Sequence, residues 1–589
     1  MRLLPRRLLE RRGPRSFRER VRQSEIGIIL LGVLAGLVSG LLAAGLGHAA
    51  RLLHTAFFGP EGRHGLSALR EAAPLALLLV PAGGGLLLGL LGLALARWRP
   101  RAPIDPIEAN ALHGGRMSMN DAAVVAGQTL LSNGFGASVG LEAAYTQMGG
   151  GLASQLGREF RLRRGDLRLM VGCGAAGAIA AAFSAPLTGA FYAFELVIGS
   201  YAIAHLAPVL GAAVAGALVA ELLGGGTPVL NAAGLSPLDW NNGLLSLAIG
   251  LLCGLAGIAL MRGVTYAEAG MRRLMPWAPL RPAVGGLLVG ALALITPAVL
   301  SAGHGALHLT LVVEGDALPL LGLLLLKATA SAISIGAGFR GGLFFASLLL
   351  GALLGKLAAV PMAMAGIVTD PLLAALVGMS AFGAAVIGAP LAMSFMALET
   401  TRDFNITGVV LMAVIVSAVT VRRLFGYSFA TWRFHLRGEA IRSAHDIGWL
   451  RDLSVGRLMR RDVRTVRDDT RLSAFRRDFP LGATTHVVAL DAAGRYAGLI
   501  LVAEAHGSEL APEEPVARLL HFRDQVLLPA WNAKEAMAVF DAADAEALAV
   551  VDQRDTSRVV GLLTVAFLLR RYSEELDKRR QDETGMPAV

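Results

Sequence analysis

Residues 134–150 read GFGASVGLEAAYTQMGG and lie within the longest weakly charged region of the chain. Several glycines precede a run that predicts a helix beginning near Leu141, and the stretch carries one carboxylate, Glu142. Glycine lets the backbone approach a ligand closely, and a helix start attracts anions through its unpaired N–H groups and partial positive charge. The stretch therefore predicts an anion site in which the Glu142 side chain competes with the anion.

The pattern recurs in residues 336–344, which read GAGFRGGLF. A shift of 202 positions superposes the glycines of the two stretches, places Leu343 over Leu141, and places Phe344 over Glu142. The two stretches therefore share their glycines and their leucine but differ at the carboxylate.

A second pair of segments has nearly the same offset. Residues 183–195 read FSAPLTGAFYAFE and residues 387–399 read IGAPLAMSFMALE, so Ala-Pro-Leu precedes a glutamate, Glu195 or Glu399, in both. Two markers at nearly one offset predict a duplicated membrane unit with interrupted helices, in which the transport site lies where the halves meet. The alternative is that glycine-rich apolar helices resemble each other by composition alone. We expect Glu195 and Glu399 to cap or pair helix ends.

Composition places most of the chain in a lipid bilayer. Only 17% of the residues are charged and the mean hydropathy is +0.58, whereas soluble domains are about 25% charged. The arginine-rich residues 1–25 precede the first apolar run and predict that both termini lie in the cytoplasm, with the protein in the inner membrane of the cell. Cys173 and Cys253 lie in separate apolar stretches and predict neither a disulfide framework nor a metal site.

The sequence divides into five predicted parts. They are a basic arm over 1–25, a membrane domain over 26–436, a linker over 437–452, a charged α+β region over 453–578 and a tail over 579–589. The α+β region repeats as well, because THVVALDAAGRYAGLILVAE at 485–504 is echoed by ALAVVDQRDTSRVVGLLTVAF at 547–567. Each copy reads strand, polar turn, strand and helix.

Taken together, these motifs resemble the CLC family of chloride channels and transporters, followed by a pair of CBS modules. The resemblance covers about residues 26–578. It implies an all-α membrane domain with an inverted repeat of broken helices, a homodimer with one pore in each subunit, and a small inorganic anion as the transported ligand. No enzyme motif is present, since His-Glu-x-x-His is absent and GALLGKL at 351–357 is too short for a P-loop. We expect no nucleic-acid partner and no cofactor.

The resemblance assigns roles to residues that match family motifs. Glu142 matches the gate glutamate of Gly-Arg-Glu-Gly-Pro, although its neighbours here are Leu141, Ala143 and Ala144. Further family motifs are the Gly-Ile-Phe-Ala-Pro segment and a tyrosine near the start of the last helix. Together with the gate motif and the placement of Pro103 described next, they imply these anion-binding residues: Pro103, Gly140, Leu141, Leu343, Phe344 and Tyr427.

Pro103 is placed where an anion-coordinating serine is usual in the family. The best match to the Gly-Ser-Gly-Ile-Pro motif is Ala102-Pro103-Ile104-Asp105-Pro106. In plant members a proline at this place accompanies nitrate preference, so both chloride and nitrate are open as the anion. Asp105 would repel an anion bound nearby.

Leu196 occupies the position of the internal proton glutamate of coupled family members. Leucine cannot relay a proton, so the resemblance favours a channel. Proton-coupled antiport is the alternative, and a CBS-bearing membrane sensor with a vestigial pore is a second alternative of a different class.

The CBS pair of the family often binds adenine nucleotides through Gly-x-x-Thr-x-x-Asp. The second module keeps Thr564 but has Phe567 in place of the acid, and the first module has Val502 at the threonine position. These changes favour a structural role, with nucleotide binding at Thr564 as the alternative.

Overall fold

The computed structural model describes most of the chain. Described are Arg18, Val21 and residues 24–69, 72–98, 103–224, 240–312, 316–366, 369–437, 453–507, 509–553 and 558–584. Most of the predicted basic arm, nearly all of the predicted linker and the last residues of the tail lie outside these ranges. The chain separates into two units, Met1–Asp446 and Ile447–Val589, which are described in turn.

The first unit is helical. Its first half contains α1 (Glu25–Phe58), α2 (Pro74–Trp98), α3 (Pro106–Leu112), α4 (Met119–Gly134), α5 (Glu142–Glu159), α6 (Arg164–Phe183), α7 (Pro186–Tyr192) and α8 (Ile203–Leu222). A π-helical turn, Ala193–Ile198, follows α7.

The second half of this unit has a matching series. It contains α9 (Trp240–Leu274), α10 (Arg281–Ile295), α11 (His304–Val312), α12 (Ala317–Gly336), α13 (Phe344–Met364), α14 (Pro371–Ile387), α15 (Pro390–Thr401), α16 (Phe404–Leu424) and α17 (Phe429–Leu436). Short 3₁₀ turns lie at Pro60–His64, Leu66–Ala68, Ala278–Leu280 and Pro297–Val299.

Among the described residues, nine helical segments are long and apolar enough to cross a membrane. Large apolar side chains lie exposed along them, for example Leu79, Leu86 and Leu90 on α2, as expected for surfaces that face lipid. The prediction of a multi-pass membrane domain is confirmed.

Prolines break two of the apolar runs. One interruption follows α6, which ends at Ser184, and the other follows α14, which ends at Gly388; both residues have the left-handed conformation. Pro186 and Pro390 then begin new helices, since proline lacks an N–H but fits the first turn of a helix.

The backbone of the two halves repeats, as the sequence predicts. Gly136 follows α4 with φ +88° and Gly338 follows α12 with φ +103°, a conformation that favours glycine. Close helix contacts repeat too. A Cβ on Gly149 of α5 would strike the backbone of Gly174 on α6, and a Cβ on Gly351 of α13 would strike that of Gly378 on α14.

The second unit is an α+β region with two similar modules. The first contains α18 (Val455–Leu458), β1 (Thr465–Arg467), α19 (Leu472–Asp478), β2 (His486–Leu490), β3 (Tyr496–Leu501) and α20 (Val502–Gly507). After a 3₁₀ turn at Val516–Leu519, the second contains α21 (Ala533–Ala543), β4 (Ala547–Val551), β5 (Val559–Thr564) and α22 (Val565–Thr584).

Strand pairing repeats in both modules. β2 pairs antiparallel with β3, and β4 pairs antiparallel with β5, each with a register shift near its turn, while β1 joins β2 in parallel. A helix follows each hairpin directly, so the predicted repeat of strand, turn, strand and helix, the pattern of a CBS pair, is confirmed.

Candidate functional site

The site is built where the two halves of the membrane domain meet. The Gly140 N–H donates to the Gly342 carbonyl at 2.9 Å, and the Gly342 N–H donates to the Gly140 carbonyl at 3.2 Å. This short antiparallel bridge joins the residues that precede α5 and α13. It brings the N-termini of these two helices, 18 and 21 residues long, to the same place in the interior.

The Glu142 carboxylate lies between the two helix starts. Glu142 is the first residue of α5 and is 5% exposed. The Phe345 N–H at the start of α13 donates to its Oε1 at 3.2 Å, and its Oε2 has no hydrogen-bond partner among the described residues. Both helix starts carry partial positive charge, so the carboxylate occupies the position that favours a small anion.

The two glycines of the bridge are required by the carboxylate. A Cβ on Gly140 would overlap both carboxylate oxygens of Glu142, and a Cβ on Gly342 would lie 2.8 Å from Oε2. The repeated glycines therefore leave room for a carboxylate, or an anion in its place, against the backbone.

Buried hydroxyl and amide groups hold the residues before α5 in place. The Ser138 N–H donates to Ser334 Oγ at 2.9 Å, and Ser138 Oγ lies 3.0 Å from Ser331 Oγ on α12. Asn133 Nδ2 donates to the Val139 carbonyl at 2.8 Å. The two serine contacts cross between the halves, and the asparagine bond holds the first half locally, so together they stabilise the glycine bridge.

Aromatic rings cover the first turn of α13. The Phe183 ring lies 4.5 Å from that of Phe344 and stacks on that of Phe345 at 4.9 Å, while the His304 ring contacts Phe345 at 3.4 Å between centroids. Leu141 and Leu343 are 5% and 2% exposed. The side chains at these predicted anion-binding positions are therefore apolar and packed, and only backbone N–H groups remain to face an anion.

Pro103 precedes α3 on a segment held by α5. Gln147 Nε2 on α5 donates to the Ile104 carbonyl at 2.8 Å, and Asp105 Oδ1 accepts the Ile107 N–H at 2.8 Å as the N-cap of α3. The Asp105 carboxylate thus occupies the start of α3 itself. An anion contact at Pro103 stays a prediction.

Two tyrosines lie in different places. The Tyr192 ring at the end of α7 lies 6.2 Å from that of Phe344, and its hydroxyl is within electrostatic range of Asp105 and Glu142. The Tyr427 hydroxyl lies 3.2 Å from His435 Nδ1, and the Tyr427 ring stacks on the His435 ring. The structure thus adds Tyr192 as a site residue that the motif comparison missed, although it lies within the first Ala-Pro-Leu segment. The anion contact assigned to Tyr427 stays a prediction.

Glu195 and Glu399 cap each other's helices, as predicted. The Leu391 and Ala392 N–H groups at the start of α15 donate to Glu195, both at 3.0 Å. The Leu187 and Thr188 N–H groups at the start of α7 donate to Glu399 at 2.7 and 2.9 Å. Each glutamate therefore caps a helix of the other half, as expected for equivalent residues of a repeat.

Leu196 lies in the π-helical turn and lines a cavity of about 180 Å³ together with Ile107, Glu195 and Tyr427. The Glu195 carboxylate in this cavity is committed to the α15 cap. The equivalence of Leu196 to the internal proton glutamate of coupled family members stays a prediction.

Thr564 ends β5 in the second CBS module. Its Oγ1 accepts the Phe567 N–H at 3.4 Å, so the hydroxyl caps the first turn of α22. A nucleotide contact there stays a prediction.

Comparison with known proteins places this architecture among anion channels and transporters. The profile of the family "Voltage gated chloride channel" matches residues 84–422. The voltage-gated ClC-type chloride channel ClcB of Escherichia coli O81 (strain ED1a) is 30% identical over 402 residues, which are 67% of this chain and 96% of that protein. ClcB of Escherichia coli O157:H7 (strain EC4115 / EHEC) is 30% identical over 404 residues, with the same shares covered.

Solved structures share the fold. A slow cyanobacterial Cl⁻/H⁺ antiporter superposes with a TM-score of 0.61 at 20% identity, covering 70% of this chain and 97% of the antiporter. A eukaryotic CLC transporter covers 93% of this chain and 98% of its own, with a TM-score of 0.58 at 19% identity. From its family match, its close relatives and its inverted repeat, this chain belongs to the voltage-gated chloride channel family.

Proposed function

We propose that this protein conducts chloride or a related small anion passively, through a path in each subunit that the Glu142 side chain opens and closes. The observation that carries the proposal is the Glu142 carboxylate between the N-termini of α5 and α13, where the Phe345 N–H donates to Oε1 and no other described residue donates to Oε2. A carboxylate with so few hydrogen bonds to other residues can exchange with an anion at modest cost.

The pH dependence follows from this competition. Protonation of Glu142 removes the negative charge that repels an entering anion and weakens its attraction to the α13 N-terminus. Lower pH therefore shifts the side chain away from the site, and anion flux rises as the pH falls.

Passive transport is supported by the surroundings of Leu196. A proton moving against an anion needs a titratable relay between Glu142 and the cytoplasm. Leu196 cannot titrate, and Glu195 beside it is engaged by two backbone N–H groups of α15. We therefore expect anion gradients to drive little or no uphill proton movement.

Anion preference, orientation and assembly belong to the same proposal. Pro103 has neither a hydroxyl nor an N–H to offer. A site with proline there should favour a weakly hydrated anion such as nitrate more than a site with serine would.

The arginine-rich N-terminal segment supports cytoplasmic termini, with the protein in the inner membrane. We expect a homodimer, and we expect the CBS pair to act as a structural domain.

Flux measurements in liposomes test the proposal. Glu142→Gln keeps the size of the side chain but removes its charge, so flux at neutral pH should approach the level that the wild type reaches at acidic pH. The variant should also lose the pH dependence. Glu195→Gln is the matched control, because it removes a carboxylate of the α15 cap and should leave the pH profile in place.

Three results would contradict parts of the proposal. An unchanged pH profile in Glu142→Gln would remove Glu142 as the gate. Proton uptake at a fixed ratio to anion, abolished by Glu142→Gln, would make the protein an antiporter. No anion flux from correctly folded protein would favour the sensor with a vestigial pore.

A further inference from the structure

A second, larger cavity of about 520 Å³ lies apart from Glu142. The helices and turns that line it are α2, α4, α9, the turn before α10, α12 with the residues after it, and α17. Its volume is within the range of small-ligand sites. The gate and the bridge do not use this cavity, so its lining needs an explanation of its own.

Arginine dominates the charge of this cavity. Four guanidinium groups line it, those of Arg272, Arg281, Arg340 and Arg433, and one carboxylate, Glu268, faces them. Glu268 is already engaged, because Arg272 contacts its Oε1 at 2.5 Å. One paired carboxylate leaves the cavity with a strong excess of positive charge.

The remaining three arginines are compensated poorly. Arg281 donates from Nε to the Met275 carbonyl at 2.8 Å and from a terminal nitrogen to the Pro276 carbonyl at 2.9 Å, so it is fixed by neutral groups. The charges that act on Arg340 are those of Arg433 and Arg437, both positive. Like charges held near each other favour an anion between them.

Arg433 packs against an aromatic ring, and the two carboxylates whose charges reach it, Glu268 and Asp105, are already engaged by Arg272 and by the Ile107 N–H. The Arg433 guanidinium carbon lies 5.9 Å from the centre of the Phe429 ring. Next to it, Trp432 Nε1 donates to Thr265 Oγ1 at 3.0 Å. The wall therefore combines cationic groups with aromatic surface that is already fixed in position.

Exposed apolar side chains adjoin one side of the cavity. Leu93 of α2 lines the cavity and is 52% exposed, in line with Leu86 and Leu90, exposed by 42% and 49% on the same helix. Arg97 lies in the last turn of α2, and Arg272 and Arg273 lie in the last turn of α9. Such a concentration of arginine is typical of the cytoplasmic side of a membrane protein.

We propose that this cavity binds the phosphate headgroup of an anionic phospholipid from the cytoplasmic leaflet, with Arg340 and Arg433 as the principal ligands. Guanidinium groups match the oxygens of a phosphate in a bidentate geometry, and basic pockets between membrane helices suit anionic headgroups. The acyl chains would lie along the exposed leucines of α2. This binding does not depend on anion conduction.

Native mass spectrometry of the full-length protein tests the proposal. Delipidated protein in neutral detergent is incubated with phosphatidylglycerol or with phosphatidylcholine of the same acyl chains. We expect phosphatidylglycerol to bind in preference, and each of Arg340→Gln and Arg433→Gln to weaken its binding about fivefold. Arg340→Lys keeps the charge but loses the bidentate geometry, so it should bind better than Arg340→Gln and less well than the wild type. Arg423→Gln, which changes an exposed arginine outside the cavity lining, should retain all of the binding.

A third arm separates lipid from soluble phosphate. Millimolar inorganic phosphate should leave the bound phosphatidylglycerol in place, because it lacks the acyl chains that lie along α2. If phosphate displaces the lipid and raises the melting temperature in the same Arg340-dependent way, the cavity takes soluble phosphates and the lipid assignment is wrong. Equal binding of the two lipids, or unchanged binding in correctly folded Arg340→Gln and Arg433→Gln, would also overturn it.

Discussion

The two halves of the membrane domain have the same backbone at the site but different side chains. Gly140-Leu141-Glu142 and Gly342-Leu343-Phe344 lie opposite each other, joined by two backbone hydrogen bonds. The third residue of the first segment is the carboxylate Glu142, and the third residue of the second segment is Phe344, whose ring packs on Phe183. The duplicated backbone is thus symmetric at this place, and under our proposal the one position that differs supplies the side chain that competes with the anion.

A second pair of equivalent residues has stayed symmetric. Glu195 and Glu399 both accept N–H groups at the start of the partner half's helix. The positions that cap helices of the opposite half thus keep the same residue, whereas positions 142 and 344 differ. Under our proposal, this difference separates the residues that stabilise the fold from the residue that gates the path.

The largest expected effect is on the symmetric caps. Glu399→Ala leaves buried donors of α7 without an acceptor, and Glu195→Ala does the same at α15. Each change should lower the free energy of unfolding by about 3 kcal/mol, measured as a loss of thermal stability in detergent. Glu399→Gln, which keeps an acceptor, should lose less. If one alanine variant lost much thermal stability and the other lost none, the two caps would not be equivalent.

The next effect is on the asymmetric gate. Gly140→Ala places a methyl group in the space of the Glu142 carboxylate, and because that carboxylate is the end of a flexible side chain, it should move away. We expect flux at neutral pH to rise about tenfold, the equivalent of ~1.4 kcal/mol. The Glu142→Gln background is the control, since Gly140→Ala should add little there. Lower flux in both backgrounds would mean that the methyl group blocks the path.

A smaller effect is expected at Pro103, which precedes the Asp105-capped α3 of the first half. Pro103→Ser adds a hydroxyl donor, which should favour chloride over nitrate by a few-fold, about 1 kcal/mol for one hydrogen bond. The measurement is the ratio of chloride to nitrate flux in the same liposomes. Pro103→Ala is the control without the donor. An unchanged ratio in the serine variant would show that residue 103 does not contact the anion.

The smallest effect concerns the second duplication, the CBS pair. Its modules have also diverged: the strand register places Leu501, and not the expected Val502, at the position equivalent to Thr564. Phe567 stands where an acid would hold ribose. We expect ATP to change the melting temperature of the full-length protein very little, because a ligand stabilises only in proportion to its binding. Phe567→Asp restores the acid and should increase the shift. Clear stabilisation of the wild type by ATP would overturn the structural role.

The sequence alone determined the repeat, the position of the carboxylate Glu142 within it, and the presence of a helical membrane region and an α+β region. The gate role of Glu142 stays a prediction. Glycine, proline and carboxylate positions are local signals, because backbone conformation, helix starts and the cost of a charge in lipid depend on a few neighbouring residues. Gly136 and Gly338 were therefore matched correctly from their spacing. The two echoed segments of the α+β region each form the predicted hairpin and helix, whereas β1 (Thr465–Arg467) lies outside those segments and was not predicted.

The tertiary structure alone decided which distant residues meet. The bridge from Gly140 to Gly342, the exchange of caps between Glu195 and Glu399, and the position of Tyr192 beside Phe344 all join residues far apart in sequence. The arginine cavity is of the same kind, since Arg272, Arg340 and Arg433 come from separate helices and turns. Such contacts depend on how helices pack, and helix packing is set by side chains from every neighbouring element at once.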